Sequence, residues 1–526
     1  MADAFDVVER SFSINSKLGS RLEAAAEQNA TLRIGWTNAG EPVPKNGELG
    51  LCPGLPENSK LRALGVLGSW IAAFGKGGTF TIQGDSGSFL GAGNDGNNIT
   101  CERSSGNYAG FAMKSGRIAI LDGTGNDAGS CMSGGLLSIR GNAGNRIGGG
   151  MTGGLIVIDG DVGNDPGAGM IGGRIVINGR CPNPPEGVLL RPLTASEQKE
   201  INKLLDDKEH EIPKDAICLE PSGSKVERFR ENLASLGDLS GIGLVPTDEV
   251  KKMHYVTCDT VSLIGERGDE NTPIALPLPL IPVIDDAEIL VLPKDVDNEL
   301  EQHLSKQPFM VRQNPRNNDF LIVDQFNLSE ISKFIGDSGG FVVDLSALPS
   351  MNSEEIDGIL VALRSLCGKQ KPFAILSDIG RVNSLHVRAA YHNADLAICK
   401  IEDGSGISEA ASLPLIGRSS KENLSSSDTD SGIILGFSAD AKDLAILSAT
   451  GIKVVCCEVP MVDAMDLALW LQGLSQDLSD ILRNLGLDTI DGLSRQNLRA
   501  LDYETASVSG LRLSGYERPL PHWFAR

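Results

Sequence analysis

The chain has 526 residues and carries 47 basic against 69 acidic side chains, a formal net charge of -22. That length holds two or three domains with cores of their own, and an acidic balance without a basic stripe excludes nucleic acid and anionic membrane as natural partners. The apolar run from Leu67 to Phe74 is too short to span a bilayer and the run from Ile274 to Ile284 is cut by prolines, so no membrane segment is expected.

No charged-then-apolar leader opens the chain, which makes the expected location cytoplasmic. Ten cysteines are scattered without metal-like spacing, apart from the adjacent pair Cys456 and Cys457. They read as reduced, buried thiols that pack as small apolar groups, and no metal site is expected.

Residues 1–74 read as a cap segment. Ser16 to Gln28 has helical spacing through Leu18, Leu22 and Ala25, Thr31 to Trp36 reads as a strand, and Leu61 to Phe74 as a second helix.

Residues 75–191 repeat themselves. Glycine recurs at Gly87, Gly106, Gly125, Gly144 and Gly163 and again at Gly91, Gly110, Gly129, Gly148 and Gly167, both series stepping by 19 residues. Isoleucine or cysteine keeps the step at Ile82, Cys101, Ile120, Ile139, Ile158 and Ile177, methionine at Met113, Met132, Met151 and Met170, and asparagine at Asn107, Asn126, Asn145 and Asn164. A fixed period of this kind predicts stacked units that cover each other's apolar faces. Short segments such as Leu155 to Asp159 are the strands, and the glycines are assigned to left-handed corners that only glycine or asparagine turns cheaply. The predicted fold is a right-handed parallel β-helix of roughly six turns, its hand following from the bias of parallel crossovers. Open strand edges at its ends need covering, for which the N-terminal segment is the candidate.

Cys181-Pro182-Asn183-Pro184-Pro185 stops the strand pattern. A helical linker over residues 192–215 follows, with Thr194 as N-cap and Glu197 three residues on. Residues 216–526 read as an α/β, TIM-barrel-like domain. Strands at 341–345, 373–377, 396–401, 432–437 and 452–456 alternate with helices at 353–367, 383–393, 440–450 and 463–484. The stretch from Ile217 to Asp324 is harder to divide, although 289–292 and 320–323 look like strands; the length allows nearly eight units, and an incomplete barrel stays open. The polar stretch from Ser419 to Ser431 reads as a mobile loop.

The repeat, with Gly148-Gly149-Gly150 and Gly167-Ala168-Gly169-Met170-Ile171-Gly172-Gly173, resembles the GXGXG domain of the glutamate synthase large subunit. The same domain type occurs in N-methylglutamate synthase-like systems and in one of the formylmethanofuran dehydrogenase subunits. Ala394 to Ile398 followed by Asp403-Gly404-Ser405-Gly406 resembles, more weakly, the FMN domain of glutamate synthase and its segment ending in DGGTG. The solenoid-first order is similar to N-methylglutamate synthase-like subunits fused into one chain.

This resemblance implies FMN near Asp403, Gly404, Ser405 and Gly406, with glutaminase or flavin subunits as partners in an oligomeric assembly. Read from the residues alone, the same four positions are either a residual anion loop or a plain surface turn. Several family features are missing. The last two βα turns read Gly436-Phe437-Ser438-Ala439-Asp440 and Cys456-Cys457-Glu458-Val459-Pro460, where phosphate-binding glycines belong. The strand over 373–377 has no lysine, no iron–sulfur cysteine cluster is present, and no cysteine follows Met1 as a glutaminase nucleophile. His386 and His392 read as core or solvated histidines, Arg418 and Lys421 as surface charge. No catalytic residue is assigned. The expectation is a degenerate or weakly active glutamate synthase-like subunit with no bound cofactor, FMN binding only if the barrel site is retained. A non-catalytic scaffold and a formylmethanofuran dehydrogenase-type component are the alternatives.

Overall fold

The structure is a computed structural model that describes residues 2–35, 47–205, 211–223, 239, 242–244, 278–292, 298–401, 407–459 and 463–515. Two compact units divide the chain. One is Met1–Arg228 with Asp324–Gly336 and Ser350–Lys371; the other is Phe229–Val323 with Asp337–Pro349 and Pro372–Arg526.

In the first unit, helix α1 (Ala2–Glu27) precedes a ten-stranded sheet. Strands β1 (Thr31–Ile34), β2 (Lys60–Leu64), β3 (Thr79–Gln83), β4 (Asp95–Cys101), β5 (Ser115–Ile120), β6 (Leu136–Ile139), β7 (Thr152–Ile158) and β8 (Gly172–Ile177) lie side by side in chain order, all parallel. From β2 onward each strand meets the next at a step of 19 residues, as in Leu61↔Phe80, Phe80↔Ile99, Ile99↔Ile118 and Ile118↔Leu137. A second parallel ladder keeps the same step through Ser86, Ser105, Thr124, Ala143 and Val162. Between the two ladders the isoleucine and methionine columns form one buried core, each such side chain contributing about 1.5–3 kcal/mol.

The repeat therefore begins earlier than the glycines suggest. Residues 61–74 are not a helix: Leu61 and Ala63 pair with Phe80 and Ile82 in β2, and Trp70 to Phe74 form the same turn as Phe89 to Gly93. The helix in the cap segment is also longer than its spacing predicts. Ile14, Leu18 and Leu22 of α1 join the same core beneath Ile34 and Leu61. Beyond β8 come β9 (Val188–Pro192), α2 (Ala195–Leu205) and β10 (Ile217–Pro221), and β10 runs antiparallel between β8 and β9. Thr194 and Glu197 cap α2 reciprocally, the Glu197 N–H donating to Thr194 Oγ1 at 3.3 Å and the Thr194 N–H to Glu197 Oε2 at 2.9 Å. Its Ile201 and Leu205 cover the outer face of the sheet at Leu155, Val157 and Val176.

The turn chemistry corrects the glycine argument. Each unit places three alternate residues in the left-handed region, with φ between 52° and 73°: Trp70, Ala72 and Phe74, then Phe89, Gly91 and Gly93, and so on to Asp165, Gly167 and Gly169. Tyr108, Asp127, Cys131 and Arg146 sit there too, so these corners are not reserved for glycine or asparagine. A non-glycine residue costs about 1–2 kcal/mol in this conformation. Hydrogen bonds between units offset it: the Phe89 N–H donates to Asn107 O at 2.8 Å, the Gly91 N–H to Ile71 O at 2.8 Å and the Gly93 N–H to Phe111 O at 2.8 Å. Alternate residues thus bond to the unit on either side. The Gly106 and Gly125 column is required for a different reason. A Cβ on Gly106 would lie 2.6 Å from Ser88 N, and one on Gly125 would lie 2.9 Å from Asn107 N.

The second unit is built on β11 (Ile242–Leu244), β12 (Leu280–Asp286), α3 (Asn298–Lys306), β13 (Met310–Gln313) and β14 (Phe320–Val323). The chain continues through α4 (Ile331–Phe334), β15 (Gly340–Asp344), α5 (Ser353–Cys367), β16 (Phe373–Asp378), α6 (Val382–His392), β17 (Leu396–Lys400), α7 (Glu409–Asn423), β18 (Asp430–Leu435), α8 (Ala441–Ala449), β19 (Val454–Glu458) and α9 (Ala464–Asn484). It ends in β20 (Leu498–Ala500), which pairs antiparallel with β11, and α10 (Tyr503–Ser509). Strands β12 to β19 close into an eight-stranded parallel barrel, Ile281 of β12 meeting Cys456 of β19. The barrel is complete.

Two local expectations fail here. Residues 287–290 form a 3-10 turn instead of a strand, because the Asp286 carboxylate accepts the Glu288 N–H. The stretch from Ser419 to Ser431 is not one long loop: α7 runs to Asn423 and β18 starts at Asp430, which leaves only residues 424–429 as the connection. Ser408 caps α7 and Ala410, Leu413, Ile416 and Ser419 bury one face, which outweighs the serine-rich composition.

By chain contacts α4 and α5 belong to the first unit. There Val361 of α5 packs with Val8, Phe12 and Leu49. Asn15 of α1 donates to Gly50 O at 2.8 Å and to Ser365 Oγ at 2.9 Å.

Candidate functional site

In a parallel barrel the C-terminal ends of the strands carry the chemistry. Side chains alternate along each strand, so the interior is found by parity. Ile281, Met310, Ile322, Val342, Ala374, Leu376, Leu396, Ile398 and Cys456 form the buried barrel core, with half-buried Val283 packed against it. Two positions beyond the last core residue of each strand, parity gives Asp285 on β12, Arg312 on β13, Asp324 just after β14, Asp344 on β15, Asp378 on β16, Lys400 on β17, Gly436 just after β18 and Glu458 on β19. Parity therefore sets five carboxylates and two cations at the strand ends above the apolar layers.

The cations are engaged by acids or hydroxyls. Arg312 Nη1 lies 2.7 Å from Asp285 Oδ1. Lys400 is the register partner of Asp378, and its Nζ reaches Ser346 Oγ at 3.5 Å. Ser346 in turn donates through its hydroxyl to Asp344 Oδ1 at 2.6 Å, and Asp344 also accepts the N–H groups of Ser346 and Ala347. Asp344 is buried, Lys400, Asp378 and Arg312 are half-buried, and Glu458 is exposed.

Asp403, Gly404, Ser405 and Gly406, the anion loop expected from the sequence, lie outside the described residues, as does Pro460. The neighbouring cation that sequence reasoning misses is Lys400. Its signal is present in the chain: it is the last inward residue of a strand whose Leu396, Ile398 and Lys400 share one face. Arg418 and Lys421 are exposed on α7, away from any strand end in sequence. His386 and His392 are buried core residues of α6, and His386 Nδ1 shares a hydrogen bond of 2.8 Å with Ser419 Oγ. Burial lowers the His386 imidazole to about 4.

FMN, which the family resemblance implies, needs a place for its phosphate. In barrels of this kind that place is the turns after strands seven and eight together with a helix N-terminus. Those strands are β18 and β19. After β18, half-exposed Phe437 occupies the turn, and α8 begins with a reciprocal pair of carboxylates. Asp440 Oδ1 accepts the Asp443 N–H at 2.8 Å, and Asp443 Oδ2 accepts the Asp440 N–H at 3.1 Å. β19 ends on Glu458, and Asp463 Oδ1 accepts the N–H groups of Met465 at 2.8 Å and Asp466 at 3.4 Å at the start of α9. Four backbone donors in the described part of these turns, the N–H groups of Asp440, Asp443, Met465 and Asp466, are held by carboxylates, and Asp440, Asp443, Asp463 and Asp466 outnumber the single cation Lys442 there. These residues do not fit a flavin phosphate.

Of the described cysteines, Cys52, Cys101, Cys218, Cys399, Cys456 and Cys457 are buried, as the sequence reading has them, while Cys131, Cys181 and Cys367 are half-buried. Burial raises Cys101, Cys367 and Cys457 to about 11 and Cys52 and Cys399 to about 12, so none of these is a thiolate at neutral pH. Among the described residues no group of three or more metal-binding side chains comes together, and no helix is long and apolar enough to cross a membrane.

No family model matches the chain, and no curated protein matches it. Among solved structures, the recombinant flavin-binding domain of baker's yeast flavocytochrome b2 is similar at 12% identity and a TM-score of 0.36, over 55% of this chain and 85% of that one. A double variant of flavocytochrome b2 with sulfite bound gives 11% identity and a TM-score of 0.35 over 53% and 80%. The monotopic membrane protein (S)-mandelate dehydrogenase gives 11% and 0.29 over 50% and 89%. Scores this low say nothing about the chemistry of the present chain.

Proposed function

We propose that the protein is a glutamate synthase-like subunit that does no flavin chemistry and serves as a structural component of a larger assembly. The observation that carries this reading is the set of carboxylates at the turns after β18 and β19, where a flavin barrel receives its phosphate: Asp440 and Asp443 at the start of α8, Glu458 at the end of β19 and Asp463 at the start of α9. A phosphate oxygen about 4 Å from one such carboxylate is repelled by roughly 4 kcal/mol at an effective dielectric constant of about 20.

The N-terminal repeat is read as a right-handed parallel β-helix of the GXGXG type. The constant 19-residue step of two parallel ladders supports that reading, and the hand follows from the general preference of parallel crossovers. A rod of this kind offers long flat faces to other chains, here glutaminase-type or flavin-bearing subunits.

The visible absorption of the purified full-length protein, followed by titration with FMN, tests the cofactor reading. The expected result is no flavin band and no saturable quenching of added FMN. Released FMN on denaturation, or saturable binding, overturns it.

A further inference from the structure

We infer that a cleft at the N-terminal ends of the barrel strands binds a small zwitterion, an α-amino acid with an apolar side chain. The site is separate from the barrel mouth and holds whether or not the protein binds flavin.

The cleft has a volume of about 380 Å3 and lies between the connection from α8 to β19 and the segment 490–495. Pro279 and Lys453, which directly precede β12 and β19, also line it and set its place in the barrel. Sites for small ligands run from about 300 to 1,000 Å3 and join an apolar lining to a few polar groups that fix orientation. Both parts are present. Ala449, Ile452 and Leu493 are buried in the lining, and three charged side chains accompany them, Lys453, Arg495 and Asp491.

These charges are of both signs and weakly committed to each other. Lys453 Nζ lies 3.4 Å from Asp491 Oδ1, and both side chains are more than half exposed, so exchanging that pair for a ligand loses little. Arg495 is held in place. Its Nη2 donates to Ser509 O at 3.2 Å and to Gly510 O at 3.0 Å at the end of α10, while Nε and Nη1 make no hydrogen bond among the described residues. A ligand carboxylate accepts charge-assisted hydrogen bonds from Arg495 and Lys453. The last turn of α8 lines the same cleft through Ser448 and Ala449, and a helix C-terminus carries partial negative charge on its carbonyls. That end and the Asp491 carboxylate receive an ammonium. A plain carboxylate would leave Asp491 and the end of α8 facing its apolar tail, and a plain amine would leave Arg495 unanswered.

Groups at this end of a barrel serve stability and not catalysis. An occupant joins the α8–β19 connection to the segment 490–495, which leads straight into β20, where Ala500 pairs with Ile242 of β11. Binding thereby ties β20 and α10 more firmly to the barrel.

The test uses the full-length protein and L-leucine, beside isocaproate, which lacks the ammonium, and isoamylamine, which lacks the carboxylate. Saturation-transfer NMR on the ligand methyl groups reads binding, and the thermal midpoint reads stabilisation. L-leucine is expected to bind saturably and raise the midpoint, with each single-charge analogue weaker by about tenfold, as the loss of one charge-assisted bond requires. Arg495→Gln is expected to weaken L-leucine by a similar factor. Lys453→Gln and Asp491→Asn, at exposed positions, are expected to do the same with folding intact, which keeps the test decisive should Arg495→Gln release α10 and unfold. No saturable binding of L-leucine up to millimolar concentration, equal affinity for the three compounds, or undiminished affinity in both Lys453→Gln and Asp491→Asn overturns the inference.

Discussion

Asp440 and Asp443 hold each other across the first turn of α8, each backbone N–H donating to the other's carboxylate, at 2.8 and 3.1 Å. Burial first, and the nearby Asp440 charge after it, raise Asp443 to about 6 from an ordinary 3.8. A carboxyl group raised in the folded state favours folding when protonated. Its contribution is fully present below the unfolded value and is lost as pH climbs through about 6. Asp443→Asn keeps an acceptor for the Asp440 N–H and removes the charge. Urea unfolding is expected to show the variant more stable than wild type by about 1–2 kcal/mol at pH 7.5, with the advantage gone near pH 4. A difference that does not change with pH would contradict the assignment.

The asparagine column predicts a cost of another kind. Asn107 Oδ1 accepts the Asn126 N–H, Asn126 Oδ1 accepts the Asn145 N–H, and Asn145 Oδ1 accepts the Asn164 N–H, each at 2.8 Å. Asn126→Ala leaves the Asn145 N–H without its acceptor and is expected to destabilise the first unit by about 1–3 kcal/mol, while Asn126→Asp, which keeps an oxygen at that place, loses less. Denaturant midpoints of the two variants decide between a hydrogen-bonded ladder and a column kept only for its turn preference.

Much of the repeat is legible in the sequence because identical side chains at a fixed step are visible without coordinates. Its start is not. Trp70, Ala72 and Phe74 do the work of glycines, so Leu61 to Phe74 looks helical although Leu61 and Ala63 pair in β2. In the barrel, unbroken apolar strands such as Leu396 to Cys399 stand out, whereas β12, with Pro282 inside it and carboxylates at its end, does not. The candidate site is the least legible part. Lys400, Asp344 and Asp378 become neighbours only when β15, β16 and β17 align, and nothing in their separate contexts announces it.

Two helical glycines separate packing from propensity. An added Cβ on Gly358 of α5 would lie 2.9 Å from Trp70 Cδ1 and 3.2 Å from Ser69 O, while one on Gly473 of α9 would meet nothing within 4 Å. Alanine gains about 1 kcal/mol over glycine inside a helix, and overpacking costs about 1–3 kcal/mol. Trp70 cannot yield, being fully buried and stacked on Phe89 at 4.4 Å. Gly473→Ala is expected to raise the thermal midpoint and Gly358→Ala to lower it. Equal effects would mean that α5 does not press on Trp70.

His386 sets the acid limit of the barrel helices. Its ring is fully buried between α6 and α7, Nδ1 bonded to Ser419 Oγ at 2.8 Å and Nε2 without a protein partner, and burial lowers it to about 4 from 6.5. A base lowered in the folded state favours folding when neutral. That contribution is fully present above the unfolded value of 6.5 and is lost as pH falls towards 4, because the unfolded chain takes up the proton first. A shift of this size corresponds to about 3–4 kcal/mol in full, of which about 2–3 kcal/mol falls between pH 7.5 and pH 4.5. Unfolding free energies of wild type and His386→Gln, measured by urea from pH 7.5 to pH 4.5, are expected to converge on acidification, the wild type losing about that amount relative to the variant. His386→Gln retains a donor for Ser419, so a constant gap between the two curves would place the acid sensitivity of the protein elsewhere.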